Sequence, residues 1–214
     1  MLSYPADRRR PVNLTDVRRA LQTADASAPR DAAVLIPLVD GPQGPRIVLE
    51  VRAATLAVQP GEVCLPGGSI ERGETPACAA VRETCEELLV EPAQIEVIGS
   101  LGRLPGPGGR ALHAFVGILS DYGGTWSPDE VERTFTVDLD WLCAQEPAIY
   151  DVTLTPTYPE DYPWELVPGG TSYAWRAQHS NVPFYRGTDP LIWGATARVL
   201  MRFAEVCRVG GARG

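Results

Sequence analysis

The chain contains no lysine: all 19 of its basic side chains are arginine. That absence removes any mechanism built on a Schiff-base lysine or on the lysine of a P-loop. What remains is a planar guanidinium suited to gripping phosphate through paired hydrogen bonds. Cysteine is sparse and odd in number (Cys64, Cys78, Cys85, Cys143 and Cys207), with no Cys-x-x-Cys pair, so neither a disulfide framework nor a zinc site is expected. The thiols read as buried and reduced. No stretch approaches the ~18 consecutive apolar residues of a membrane span. No apolar segment of about 7–15 residues follows the basic N-terminus MLSYPADRRR, so a secretory signal is not expected either. The expectation is a soluble cytoplasmic protein without a membrane partner.

Positive charge is also short. A formal net charge of −8 argues against a nucleic-acid partner, because nonspecific phosphate contacts require a basic surface. An anionic small substrate stays compatible with it, since a divalent cation and a few arginines can reverse the local field. Neither a Gly-x-Ser-x-Gly elbow nor a Cys/His pairing with supporting context is present, which speaks against covalent catalysis. His113, in an expected strand, and His179, in an aromatic segment, read as structural.

The 214 residues suffice for one domain with a substantial core. Residues 1–30 read as an amphipathic helix near Leu14 to Leu21 followed by a linker, 31–208 as the domain, and 209–214 as a flexible tail. Ala32 to Val39 and Arg46 to Val51 are β-branched runs around a Gly/Pro turn and predict paired strands. Thr75-Pro76 is an N-cap followed by the helical position that tolerates proline, and predicts a helix to about Leu89. Ile95 to Leu104 and Arg110 to Leu119 flank a glycine-rich turn and read as strands; Arg133 to Val137 is another, followed by a short helix from Leu139 to Ala144. A weak strand is expected at Ser172 to Ala177 and a final helix from Asp189-Pro190 to about Val206. Strands interleaved with a few helices give a mixed α/β domain.

On a 3.6-residue period, Glu83, Glu86 and Glu87 fall within roughly 100° of one another, with Val81, Thr84, Cys85 and Leu88 toward the other side. The helix is thus expected to have a buried face and an acidic face, with nothing basic on the acidic arc. Like charges at this spacing repel, and a hard cation that prefers carboxylate oxygen would offset them. Taken alone, Glu-x-x-Glu-Glu reads as a solvated helix face rather than a metal site.

The surrounding residues add to this. Gly68 is followed after five residues by Glu74, after seven more by Arg82-Glu83, and then by Glu86-Glu87. This resembles the signature of the Nudix hydrolases, Gly-x5-Glu-x7-Arg-Glu-U-x-Glu-Glu-x-Gly-U, where U is a bulky aliphatic residue. Thr84 stands at the first aliphatic position and Leu89 at the second glycine. The resemblance implies a Nudix α/β/α sandwich with a mixed β-sheet, and hydrolysis of a nucleoside diphosphate derivative with Mg²⁺ or Mn²⁺. It assigns metal ligation to Glu83, Glu86 and Glu87, with the Gly67 backbone and Glu130 as further candidates; Glu130 reads equally as a surface loop acid. Glu83, Arg82 and Glu74 form the expected catalytic set, with Glu83 as general base and the other two holding the carboxylates in place.

Upstream, Val48-Leu49-Glu50-Val51-Arg52-Ala53 and Gly61-Glu62-Val63-Cys64-Leu65-Pro66-Gly67-Gly68 resemble the element preceding the signature in the coenzyme A pyrophosphatase subgroup, approximately Leu-Leu-Thr-x-Arg-Ser/Ala-x3-Arg-x3-Gly-x3-Phe-Pro-Gly-Gly. Ala57 replaces its second arginine and Leu65 its phenylalanine. Val182-Pro183-Phe184-Tyr185 and Ile192 to Arg198 resemble the same subgroup. The resemblance implies coenzyme A or a derivative as substrate, cleaved to adenosine 3′,5′-bisphosphate and (acyl-)phosphopantetheine, with Arg52, Gly61 and Gly68 as substrate-binding candidates. Arg52 also reads as a surface strand residue. Other nucleoside diphosphate derivatives, such as ADP-ribose or a dinucleotide, are the alternative substrates, and a noncatalytic nucleotide-binding regulator is the alternative of another class. Trp193 and Phe203 read as core or dimer packing on a helical stripe with Leu191, Val199 and Leu200, and a homodimer is a further implication. The aromatic loop from Tyr158 to Trp175 could cover a substrate or pack on the sheet.

Overall fold

The structure, a computed structural model, describes residues 31–175 and 177–211. The helix expected near Leu14 to Leu21 lies outside these residues. β1 (Ala32–Val39) and β2 (Arg46–Arg52) pair antiparallel, with Leu38 opposite Ile47. Five residues in succession are buried along β2, as expected for a strand covered on both faces. β3 (Val63–Cys64), β4 (Gly67–Ser69), β5 (Ile95–Pro105), β6 (Ala111–Leu119) and β7 (Val131–Asp138) complete a seven-stranded sheet. Its order is β3-β2-β1-β6-β5, with β4 beside the start of β1 and β7 beside β2. β1 and β6 run parallel while the other pairs are antiparallel, so the sheet is mixed.

Side-chain alternation assigns the two faces. Ala33 and Leu35 pack against Ala79 and Ala80 of α1 (Pro76–Leu88), and Val48 packs with Leu88 of the same helix. Ile36, Ile47, Leu49 and Val116 point the other way, into a larger core closed by Leu142 of α2 (Leu139–Ala144) and by Val199, Leu200 and Phe203 of α3 (Gly194–Gly211). Helices therefore cover both faces of the sheet, the expected α/β/α layering.

Several expectations need correction. β8 (Ala148–Leu154), β9 (Gln178–Tyr185) and β10 (Ile192–Trp193) form a second, three-stranded sheet. Of the strand expected at Ser172 to Ala177, the described residues form no strand: Ser172 closes a short 3₁₀ turn over Gly170–Ser172, and the strand starts at Gln178. α3 begins at Gly194 rather than at Pro190, because Ile192 and Trp193 pair with Tyr185 and Phe184. The helix also runs to Gly211, through part of the expected tail, whose residues 212–214 lie outside the described ones. Trp193 thus leaves the helical stripe: its ring stacks on Phe184 at 5.6 Å, while Val199, Leu200 and Phe203 are core and Leu191 is exposed.

Candidate functional site

α1 opens as its first residues dictate. The Thr75 hydroxyl accepts from the Cys78 N–H at 3.2 Å, and Pro76 follows in the first turn. The helix ends with Leu89 in the left-handed conformation (φ 53°, ψ 50°), its N–H donating to the Cys85 carbonyl. The exit is therefore the one a glycine would make, and Leu89 adopts it with its side chain 57% exposed. Thr84 is fully buried and returns its hydroxyl to the Ala80 carbonyl at 2.7 Å, so its polar atom is satisfied in the apolar face.

The acidic arc is not free of positive charge, as the helical projection had suggested. Arg82 reaches across it. Its Nε and Nη2 donate to the two oxygens of Glu74 at 3.0 and 3.2 Å, and its Nη1 donates to Glu83 at 3.0 Å and Glu86 at 3.2 Å. Nη2 also donates to the Ser69 carbonyl at 3.2 Å, tying the helix to β4. Glu74 is held below its ordinary pKa, first by the Arg82 hydrogen bonds and then by the Glu71 N–H. Glu83 moves the opposite way: burial raises its pKa more than Arg82 lowers it.

Glu87 also departs from the expected pattern, since it lies on the buried face with only 2% of its surface exposed. The Gly67 N–H donates to its Oε2 at 2.7 Å. Desolvation and then the charge of Glu50 push its pKa upward. Two glycines make this packing possible. A Cβ on Gly67 would lie 2.3 Å from the Ala33 carbonyl oxygen, and one on Gly68 would lie 2.4 Å from the Glu83 carboxyl.

Glu130 is brought to the same place. The Ser127 N–H donates to the Glu87 carbonyl and the Thr125 hydroxyl to the Leu88 carbonyl, both at 2.7 Å, while the Ala53 N–H donates to the Glu130 carbonyl at 2.9 Å. Its charge acts on Glu50, Glu83 and Glu87. Carboxylates from β2, α1 and this loop thus surround one region. Among the described residues, no group of three or more His, Cys, Asp or Glu side chains is arranged to hold a metal ion. Glu83 and Glu86 are turned onto Arg82 and Glu87 onto Gly67. The donors nevertheless fit Mg²⁺ or Mn²⁺ in kind, being hard oxygens, and such ions take only a few protein carboxylates and fill the rest of their shell with water and substrate phosphate. The fully buried Glu50 adds an oxygen, Oε1, that lacks any hydrogen-bond partner.

Beside this region lies a cavity of about 290 Å³. Gly68 joins the two, lining the cavity and meeting Glu83. Arg52 and Arg110 line it together with the apolar side chains of Leu65, Leu112, Val199 and Trp193. Arg52 Nε donates to the Val58 carbonyl at 3.3 Å, and Arg110 donates to Ser69 Oγ at 2.8 Å. Gly61 does not line the cavity; its N–H donates to the Arg52 carbonyl at 3.0 Å and so fixes the loop behind that arginine. Tyr158 through Trp175 pack on themselves, with Tyr158 4.7 Å from Trp164 and 6.0 Å from Trp175, and line no part of this cavity. His113 lies 3.4 Å from Asp31 and His179 3.4 Å from Thr153, both within strand pairs.

Sequence reasoning missed Glu50 and Arg110. A charge in a run otherwise as apolar as Ile47 to Val51 was the available signal for Glu50. Arg110 gave none, since a residue bordering a glycine-rich turn reads as solvent-facing.

The Nudix domain model matches residues 29–171. That match covers the loop, α1 and the sheet that carries them. The chain belongs to the Nudix family. Among similar proteins, the uncharacterised Nudix hydrolase NudL of Photorhabdus laumondii is 30% identical over 183 residues, 84% of this chain and 86% of its own length. Nudix hydrolase 22 of Arabidopsis thaliana, a chloroplastic protein, is 29% identical over 83% of this chain, which spans 55% of that relative. The solved Nudix hydrolase RenU of M. smegmatis aligns with 52% of this chain and 72% of its own, at 26% identity and a TM-score of 0.43. This Nudix protein is accordingly a hydrolase of pyrophosphate linkages in nucleoside diphosphate derivatives, in a family whose enzymes generally use divalent metal ions. None of its described helices is long and apolar enough to cross a membrane.

Proposed function

We propose that this Nudix hydrolase cleaves the diphosphate of coenzyme A or its derivatives with Mg²⁺ or Mn²⁺, giving adenosine 3′,5′-bisphosphate and (acyl-)phosphopantetheine. The observation that carries the reading is the cavity beside the signature loop, where Arg52 and Arg110 border apolar walls formed by Leu65, Leu112, Val199 and Trp193. Such a lining suits a ligand with anionic phosphates joined to a long, largely uncharged arm.

Glu83, Glu86 and Glu87 would hold the cation, with the Gly67 backbone and Glu130 as further contributors. When bound, the cation would neutralise charge developing on the phosphate oxygens and acidify the attacking water. Glu83 accepts the proton of that water as its oxygen bonds to phosphorus; the bond from phosphorus to the bridging oxygen breaks, and the second phosphate departs with that oxygen. Arg82 and Glu74 are positioning residues that keep the Glu83 carboxylate in place. Arg52 contacts the 3′-phosphate or the diphosphate, the Gly68 backbone borders the phosphate, and Gly61 supports the Arg52 loop. The five free cysteines support a reducing, cytoplasmic setting. A homodimer is part of the same proposal.

Ala57, where the resembled element has a second arginine, favours a second reading in which another nucleoside diphosphate derivative such as ADP-ribose is the substrate. Incubation with coenzyme A, acyl-coenzyme A, ADP-ribose and dinucleotides, with Mg²⁺ or Mn²⁺, separates these by product analysis. Turnover of coenzyme A or its acyl forms is expected; its absence overturns the first reading. Absence of all turnover, with nucleotide binding retained, would favour a regulatory module.

A further inference from the structure

Among the described residues, only Glu50 and Glu87 are charged side chains buried to near completeness, with 0% and 2% exposure. A buried carboxylate is costly unless charge or hydrogen bonds compensate it. Glu50 receives little compensation. Its Oε2 takes one weak hydrogen bond from Cys64 Sγ at 3.6 Å, and its Oε1 takes none. Cys64 is its cross-strand partner, so the thiol fixes one oxygen and leaves the other to face elsewhere.

Strand alternation says where. Val48 lies on the α1 face of the sheet, packed with Leu88. Glu50, two residues further along the same strand, shares that face, the one covered by α1, which carries Glu87 one residue before Leu88. The charge of Glu50 acts on Glu87, and that of Glu130 acts on both. Three separate segments therefore deliver carboxylates to one sparsely solvated place, beside an oxygen with nothing to bind. The resembled upstream element has threonine at this position, so the acid is a feature of this chain's own sequence.

We infer that Glu50 is a further carboxylate ligand of the divalent-cation site, its free Oε1 closing on the sheet side the donor set that α1 opens with Glu87. The inference rests on the metal-assisted reading above. It gives the unpartnered oxygen a partner and explains why a charge stands in the middle of a covered strand.

The test is calorimetric titration of the full chain with Mn²⁺ alone, without substrate, for the wild type, Glu50→Gln, Glu50→Thr and the surface control Glu132→Gln, with melting curves with and without Mn²⁺. Both Glu50 variants are expected to weaken Mn²⁺ binding about tenfold or more and to shrink the rise in Tm that Mn²⁺ produces, while Glu132→Gln matches the wild type. If Glu50→Gln does not fold, Glu50→Thr carries the comparison. Wild-type affinity in the folded Glu50 variants overturns the role of Glu50 and leaves the metal-assisted reading standing. A wild type that binds no Mn²⁺ overturns both.

Discussion

Arg82 holds Glu74 through both carboxylate oxygens, at 3.0 and 3.2 Å, and with its remaining nitrogen touches Glu83 and Glu86. One guanidinium therefore sets the spacing of three acids. A lysine ammonium at the same position is a point charge without the planar fork. Arg82→Lys is expected to lower kcat roughly ten- to a hundredfold with little change in KM or in the circular dichroism spectrum. A wild-type kcat in steady-state product assays would remove the positioning role.

Glu83→Gln keeps the shape of the side chain that Gly68 accommodates and removes its ability to accept a proton. The expected loss in kcat is about 10²- to 10⁴-fold, the range for a general base. Residual activity equal to wild type would place the hydrolysis outside this site.

Arg52→Ala is expected to raise KM for coenzyme A about tenfold, the effect of losing a charge-assisted hydrogen bond of roughly 1.4 kcal/mol. Comparing coenzyme A with its 3′-dephospho form locates the contact. If Arg52 binds the 3′-phosphate, the variant and the wild type should have the same KM for the dephospho substrate; if it binds the diphosphate, both substrates suffer alike.

Burial raises the pKa of Glu50 to about 8 from an ordinary 4.5, and that of Glu87 moves in the same direction. The folded state then keeps protons that the unfolded chain has released. Stability must fall as pH rises from about 4.5 and level off once the folded-state values are passed. Without metal, Tm is therefore expected to decrease between mildly acidic and mildly alkaline pH, and Glu50→Gln should flatten that slope. A Tm that climbs over this interval would show that the two carboxylates are not held protonated.

Leu89 occupies a left-handed position with an exposed side chain, so Leu89→Gly removes backbone strain and uncovers little core. Stabilisation of about 1 kcal/mol is expected, read as an increased midpoint in urea. A decrease would mean that the Leu89 side chain contributes contacts outweighing the strain.

Local chemistry made much of this architecture readable. Thr75-Pro76 marks the start of α1, β-branched runs mark β1 and β2, a glycine-rich turn marks β5 and β6 on either side of it, and the resemblance carried by Gly68 to Glu87 implies the loop that precedes the helix. Readability failed where long-range pairing decides. Ala148 to Leu154 is a strand because Gln178 to Tyr185 lies beside it, and Ile192-Trp193 joins that sheet instead of beginning α3. Arg82 was recognisable as a partner of the acids, but its reach over Glu83 and Glu86 was not, since a helical projection places side chains by direction and ignores their length. Glu50 escaped notice because its importance arises from facing α1, a relation between segments distant in sequence.

The 125–127 loop takes up the carbonyls of Glu87 and Leu88 at the end of α1, and the backbone of Glu130 is bonded to Ala53. Loop, helix end and strand end are therefore stitched into one cooperative block. In hydrogen exchange, the amides of Ser127 and Val90 should open together at a common free energy, so the acids cannot drift apart one at a time; the site persists or dissolves as a unit.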